Sequence, residues 1–375
     1  MADATLQALH DLQAAVRDAA SRRQPLRIAG AGSKGFYGDG EPAGRRGTPL
    51  DVTPLAGISA YEPSELVVTV RAGTPLAELE AALAEQGQCL PFEPPRLGTA
   101  GQRGGTVGGM VAAGLAGPTR AAAGGVRDYL LGATLINGRG ELLGFGGQVM
   151  KNVAGYDVSR VLAGSMGTLG VICEVSLKVL PQAPGRQTLR FDMDQANATR
   201  HVNEWVAQAL PVAASAWWDG ALILRLQGAQ AAVASATQRL QALGGEPIAP
   251  ELAADFWAGV RDQTDEFFTQ AAAAVAGGAR LWRLSVAATA PKILLPGDQL
   301  VEWAGALRWL VTDRPPAQVR AAAEDALGHA TIYRGDKADG AFAPLPPVQA
   351  RLQRAVKAAF DPDGLFNPGR IAALG

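Results

Sequence analysis

Across the first 24 residues, apolar positions at Leu6, Leu9, Leu12 and Val16 recur between charges, a spacing that predicts a helix with one buried stripe. Pro25-Leu26-Arg27-Ile28-Ala29 reads as a short strand. Leu50-Asp51-Val52-Thr53 and Leu66-Val67-Val68-Thr69-Val70 read as two more, the second rich in β-branched residues. Thr74 as N-cap and Pro75 at the first helical position open a helix that buries Leu76, Leu79, Ala82 and Leu83 and ends near Gly87. Residues 130–136 form a strand, Asn137-Gly138 and Arg139-Gly140 a hairpin turn, 141–145 the return, and 171–181 an alternating strand. Beyond Gln182 glycine thins out, and strands near 189–191, 214–217, 221–226, 281–286, 307–311 and 331–333 interleave with helices near 201–210, 230–243, 252–261 and 316–327. That alternation predicts an α+β cap built on an antiparallel sheet. A last helix spans 348–360. The Ala-rich run 271–278 reads as small-residue packing or loop.

Two glycine-rich stretches interrupt this pattern. Gly30-Ala31-Gly32-Ser33-Lys34-Gly35 follows a strand, but Phe36-Tyr37-Gly38-Asp39-Gly40-Glu41-Pro42 cannot supply the helix that a dinucleotide fingerprint of the βαβ kind requires. What survives is a phosphate-binding loop that stays a loop. The second stretch, from Gly104-Gly105-Thr106-Val107-Gly108-Gly109 to Gly117, is too short to span a bilayer and too rich in glycine for a stable amphipathic helix. It is either a packing seam or a cradle whose bare N–H groups attract phosphate oxygens.

Composition narrows the classes. The 375 residues leave room for two cores, and a net charge of -1 offers no broad attraction for nucleic acid or an anionic membrane. No segment has the apolar length of a membrane helix, and the N-terminus lacks the pattern of a secretory leader, so a cytoplasmic protein is expected. Cys89 and Cys173 are the only cysteines, too few to ligate an iron–sulfur cluster.

Four segments in order, namely residues 28–35, Thr106-Val107-Gly108-Gly109, residues 151–170 with Gly167-Thr168-Leu169-Gly170, and Phe360-Asp361-Pro362 through Asn367-Pro368-Gly369-Arg370, resemble the vanillyl-alcohol oxidase and para-cresol methylhydroxylase (PCMH) superfamily of FAD enzymes. Lys151-Asn152-Val153-Ala154-Gly155-Tyr156-Asp157 looks like its 2-hydroxy-acid dehydrogenase branch. The short Ala-rich chain with Gly164-Ser165-Met166-Gly167-Thr168-Leu169-Gly170-Val171 most resembles the E-subunit family of bacterial glycolate oxidase, or glycolate dehydrogenase.

The resemblance implies an α+β architecture: a two-subdomain PCMH-type FAD-binding domain over 1–182, a smaller α+β cap with an antiparallel sheet over 183–345, and a C-terminal helix and tail over 346–375 that return to the first domain. It implies that Gly30, Ala31, Gly32, Ser33, Lys34 and Gly35, with Gly105, Thr106, Val107, Gly108 and Gly109, hold the FAD pyrophosphate through backbone N–H groups, Ser33 and Thr106 adding hydroxyls. Pro94, Ala112, Ala113, Gly117 and Asp128 would lie along the adenosine and ribityl portions, Gly170 and Ile172 on the adenine side, and Asn367 towards the isoalloxazine. A D-2-hydroxy acid would give a hydride to the flavin, and electrons would leave through an iron–sulfur subunit beside a homologous larger FAD subunit, the assembly touching the inner membrane only through partners.

Hydroxy-acid oxidising members carry a His-x-Gly-Asp-Gly-Asn motif and a metal; Gly328-His329-Ala330-Thr331-Ile332-Tyr333-Arg334-Gly335-Asp336 does not fit it, so no metal is expected and substrate oxidation would be centred on the larger subunit. His329, Arg334 and Lys151 are the remaining catalytic candidates, each with a plain alternative as a helix-end charge, a surface ion pair or a solvated charge. His10 and His201 read as solvated or packed, and Trp217 and Trp218 as core and edge positions. The other readings left open are a flavin-free structural subunit and a stand-alone flavin oxidase for another small alcohol or acid.

Overall fold

The helix Ala2–Arg22 turns Leu12, Val16 and Ala19 into a core shared with Leu26, Leu50 and Val52, while Leu6 stays exposed. The structure, a computed structural model, describes residues 2–40, 46–98, 104–147, 158–371 and 374. The strand Leu26–Ala29 pairs in parallel with Thr48–Asp51. A five-stranded antiparallel sheet follows in the order Ile58–Glu62, Val67–Arg71, Val171–Lys178, Leu130–Ile136, Leu142–Gly146. The central strand of that order, Val171–Lys178, is contributed by residues a hundred positions away from its neighbour Val67–Arg71. Its burial on both faces accounts for the near-continuous apolar run.

A second sheet has eight antiparallel strands in the order Glu246–Ile248, Gly185–Asp192, Ala221–Gly228, Val212–Trp218, Asp298–Glu302, Leu307–Thr312, Arg280–Ser285, His329–Arg334. The helices Gln195–Ala207, Gln230–Gln241 and Pro316–Asp325 cover one face through Val202, Val233 and Val319. The other face meets the first unit: Trp303, Trp309 and Tyr333 pack in one cluster with Tyr37, Ala113, Leu115 and Met166. The architecture is thus the α+β, PCMH-type arrangement with an antiparallel cap sheet. Among the described residues no helix is long and apolar enough to cross a membrane.

Several local expectations are corrected. The run 107–113 is a helix, Val107–Ala113, capped by Thr106 and ended by Gly114 at φ 65°. Glycine lowers helix propensity by about 1 kcal/mol per residue, but here Val107, Met110 and Val111 are fully buried, and tertiary packing supplies what propensity lacks. Thr74 is not an N-cap: its hydroxyl accepts from Gly57 N at 2.9 Å, Pro75 takes the cap position, and the helix is Leu76–Glu85. Its first N–H, Leu76 N, finds Gly105 O at 2.8 Å instead. The Ala-rich run belongs to a helix, Glu266–Ala276, anchored by Phe267, Phe268 and Ala271 and capped by Asp265. The strands Glu246–Ile248 and Asp298–Glu302 carried too short a pattern to read.

The C-terminal helix Pro347–Phe360 leads the tail back to the first strand. Leu26 N donates to Leu365 O at 2.8 Å and Asn367 N to Leu26 O at 2.9 Å. The turn before it is held by a buried pair: Lys357 Nζ reaches Asp361 Oδ2 and Thr168 O, while Asp361 accepts from Leu365 N and Phe366 N. Lys357 thereby ties the tail to the Gly167-Thr168 segment beside it.

Candidate functional site

The loop after the strand Leu26–Ala29 and the N-terminus of the helix Val107–Ala113 meet closer than side chains allow. A Cβ on Gly30 would stand 2.4 Å from Thr106 Oγ1, and one on Gly105 would stand 2.8 Å from Lys34 Nζ. Within the loop Gly32 adopts φ 72° with open space around it, and Gly35 N closes a turn on Gly32 O at 3.0 Å. Arg370 Nη2 donates to Lys34 O at 2.8 Å from the tail. Asn367 staples three segments: its Oδ1 accepts from Ile28 N at 2.9 Å and its Nδ2 donates to Met166 O at 2.7 Å.

These contacts frame a cleft. Of the residues expected at a cofactor, Gly30, Ala31, Gly32, Ser33, Lys34, Gly35, Thr106, Gly108, Gly109, Ala112, Ala113, Gly170, Ile172 and Asn367 line it. Gly105 and Val107 stand next to lining residues. Pro94, Gly117 and Asp128 are not on the cleft wall: Gly117 O accepts from Trp303 Nε1 at 3.0 Å, and Asp128 Oδ2 caps its own short helix at Gly125 N, 2.8 Å away. Arg27, Arg46, Met166, Gly167 and Arg370 also line it, positions that local sequence pattern did not single out as ligands.

The hydrogen bonds alter the part expected of the second glycine stretch. Val107 N donates to Thr74 O, Gly108 N to Ala72 O and Gly109 N to Thr106 Oγ1, at 3.0, 2.8 and 3.2 Å. These N–H groups are committed to the protein, and Thr106 already uses its oxygen as a cap acceptor. Gly108 is bare because a Cβ there would stand 2.7 Å from the Ala72 side chain. The stretch thereby brings the helix onto the strand, and the longer side-chain donors on the cleft wall come from other segments.

They are cationic. Arg27, Lys34, Arg46 and Arg370 line the cleft, and among the described residues no aspartate or glutamate does. Lys34 is only 7% exposed, and burial pulls its ammonium down to about 8.

The catalytic candidates separate in space. Lys151 lies outside the described residues. Arg334 stacks its guanidinium on Phe36, 3.7 Å from the ring centroid, beside Tyr333. His329 opens the same strand at the opposite end, exposed and paired with Ser285. His10 is exposed on the first helix, and His201 pairs with Glu204 at 3.2 Å and stacks on Trp205. Trp217 Nε1 donates to Met193 O, and Trp218 meets Phe267 edge-on. Among the described residues no cluster of His, Cys, Asp or Glu could hold a metal.

Strand pairing brings forward groups that no motif announced. Glu302, 4% exposed, accepts from Trp309 Nε1 at 2.7 Å, and burial pushes its carboxyl up to about 7. Tyr333, fully buried against Tyr37 and Trp309, accepts from Gln263 Nε2 at 3.0 Å, and burial pushes its phenol up to about 12. Their register on the cap sheet, not their sequence neighbours, puts them on the face turned to the first unit.

Residues 3–146 match the family model described as an FAD binding domain. The chain is 45% identical to glycolate oxidase subunit GlcE of Escherichia coli (strain K12), over 96% of this chain and 95% of that protein. It is 33% identical to a D-lactate dehydrogenase of Anaerostipes hadrus and 30% identical to glycolate oxidase subunit GlcD of Bacillus subtilis (strain 168). Those two matches cover 36% and 35% of this chain and 27% of each relative. Among solved structures, an alkyldihydroxyacetonephosphate synthase superposes with a TM-score of 0.66 at 14% identity, over 96% of this chain and 74% of that one, a likeness of fold.

Proposed function

The chain belongs to the family of glycolate oxidase subunit GlcE, and from that premise we propose that it is the FAD-binding subunit of a multi-subunit dehydrogenase acting on glycolate or a related D-2-hydroxy acid. One observation carries the cofactor assignment: a cleft with Arg27, Lys34, Arg46 and Arg370 on its walls, no described carboxylate, and a loop at Gly30 that leaves no room for a side chain. A doubly charged pyrophosphate needs several donors at short range and close approach, and this cleft offers both.

In this reading the backbone of Gly30, Ala31, Gly32 and Ser33, with the Ser33 hydroxyl and the four cations, holds the pyrophosphate. The Thr106 hydroxyl has its proton left to donate. Gly170 and Ile172 close on the adenine side, and Asn367 holds the walls together. FAD supplies the two-electron acceptor when bound. Residues 1–182 form the cofactor unit, 183–345 the cap, and 346–375 the closing helix and tail.

With two cysteines the chain cannot ligate an iron–sulfur cluster, so the onward relay belongs to a partner subunit, beside a larger homologous FAD subunit. Contact with the inner membrane is made through those partners. The test is a visible spectrum of the purified chain after incubation with FAD, followed by anaerobic glycolate. A bound flavin band is expected; its absence would leave a flavin-free structural subunit as the better account.

A further inference from the structure

Outside the cleft, two arginines from different units converge on one indole. The guanidinium of Arg120, on the short helix Arg120–Ala123 past the glycine stretch, lies 5.2 Å from the centroid of Trp303. That of Arg283, on the cap strand Arg280–Ser285, lies 5.1 Å from the same centroid. Cation–π contact with the indole face stabilises each, but like charges brought together oppose it. Partial burial, and next the charge of Arg283, pull Arg120 below the usual arginine value.

Neither arginine has a carboxylate bound to it among the described residues. Asp128, near Arg120, accepts from Gly125 N and holds Arg120 up against the pull of burial and Arg283, while Glu302, near Arg283, accepts from the Trp309 indole, and neither forms an ion pair with the arginine. Arg127 and Arg283 add positive charge around Arg120.

The backbone here is built for this placement. Trp303 and Ala304 both sit in the left-handed region, at φ 53° and 56°, where a bulky residue is held only against strain. Three bonds hold them: Trp303 Nε1 donates to Gly117 O, Ala304 N to Ser215 Oγ, and Asn203 Nδ2 to Ala304 O, at 3.0, 3.0 and 2.8 Å. On the other side Gly125 is bare where a Cβ would stand 2.1 Å from Arg120 Nη1. The left-handed backbone sets the indole between the two units, and the bare Gly125 leaves room for the Arg120 guanidinium, so two arginines without an ion-pair partner among the described residues meet there.

We infer that Arg283 and Arg120, stacked on Trp303 between the glycine stretch and the cap sheet, form a binding site for a small carboxylate anion. Arg283, half-buried, presents the fork that takes a carboxylate in two parallel bonds, and Arg120, exposed, supplies the second charge at the solvent side. The identity of the carboxylate as a 2-hydroxy acid rests on the function proposed above. The consequence is that this chain binds such an acid itself, rather than leaving it wholly to a larger subunit.

The experiment is calorimetric titration of the purified full chain with glycolate, and with glycolamide as the uncharged counterpart, alongside Arg283→Met, Arg283→Lys and Arg120→Met. Far-ultraviolet dichroism checks folding, and flavin absorbance reads the separate cleft. Losing a charge-assisted bond of about 1.5–3 kcal/mol predicts roughly 10- to 100-fold weaker glycolate binding in Arg283→Met. A smaller loss is expected in Arg120→Met, an intermediate one in Arg283→Lys, and binding of glycolamide at least about tenfold weaker than glycolate. Glycolate affinity unchanged from wild type in both Met variants, or no glycolate binding by a folded wild-type chain, overturns the site. Loss of flavin with carboxylate binding intact overturns the cofactor reading instead and leaves the site standing.

Discussion

Lys34 in the cofactor cleft and Arg283 on the cap face are both cations without a bound carboxylate among the described residues, yet their surroundings treat them differently. Lys34 is buried, and its ammonium can give up a proton at about pH 8 when nothing negative faces it. A guanidinium has no such outlet, and Arg283 is left half-buried against an indole face. The cleft sets four cations beside the bare backbone of the glycine loop. Around Arg283 the neighbours are side chains, the buried Trp303 indole and the exposed Arg120.

The sharpest way to break this contrast is through the staple that serves only the cleft. Lys357→Met leaves Asp361, fully buried, without its cation, and removing one partner of such a pair costs about 3–5 kcal/mol. Thermal denaturation should show a large fall in midpoint. In the surviving folded protein flavin should be lost while glycolate binding at Arg283 persists, because the tail carrying Asn367 and Arg370 is no longer tied to the cleft.

Next in size is a pair of glycine variants. Gly30→Val drives a side chain into Thr106, an overpacking cost of about 1–3 kcal/mol, and should abolish flavin retention. Gly32→Ala meets nothing within 4 Å and costs only the left-handed strain, about 1 kcal/mol, so flavin should remain bound. Flavin-to-protein ratios after gel filtration separate the two. Equal ratios would mean that the close approach at Gly30 does not shape the cleft.

The lysine itself sharpens the comparison through pH. Its pKa in the folded chain, about 8, is below the ordinary 10.5, so between those values the unfolded chain holds a proton that the folded one lacks. Stability of the cofactor-free protein therefore gains a contribution as pH rises through that window. A bound pyrophosphate favours the ammonium, so FAD affinity should fall as pH rises above about 8, and Lys34→Met should flatten that fall. Fluorescence titration with FAD across the window measures it.

Glu302 gives a pH effect of the opposite sign. Its carboxyl, raised from 4.5 to about 7 by burial, binds a proton in the folded chain where the unfolded chain has lost it, so its contribution to stability declines as pH rises from 4.5 towards 7. Glu302→Gln keeps an acceptor for Trp309 Nε1 and should remove this slope from a series of urea melts. An unchanged slope would show that the carboxyl is not the titrating group.

Much of the site was legible along the chain where its parts are contiguous. The loop 30–35 and residues 106–113 are runs in which glycine itself announces close approach, and Asn367 sits in a motif of its own. Pro94, Gly117 and Asp128 show the limit, since each was placed along a cofactor by order in the chain and stands off the cleft wall. Arg283 and Glu302 were illegible for a different reason. Each is one charge in an alternating strand, and nothing local distinguishes it from a solvated position.

By itself, the sequence determined most of the helices and strands, because periodicity and turn residues act over a few neighbours, while the FAD-binding fold was legible through the family that four ordered motifs resemble. Only the tertiary structure decided which N–H groups remain for a ligand, that the glycine run 107–113 is a buried helix, and that Arg120 and Arg283 meet on Trp303. Those outcomes depend on strand register and on hydrogen bonds between residues far apart in the chain. A local pattern carries no record of either.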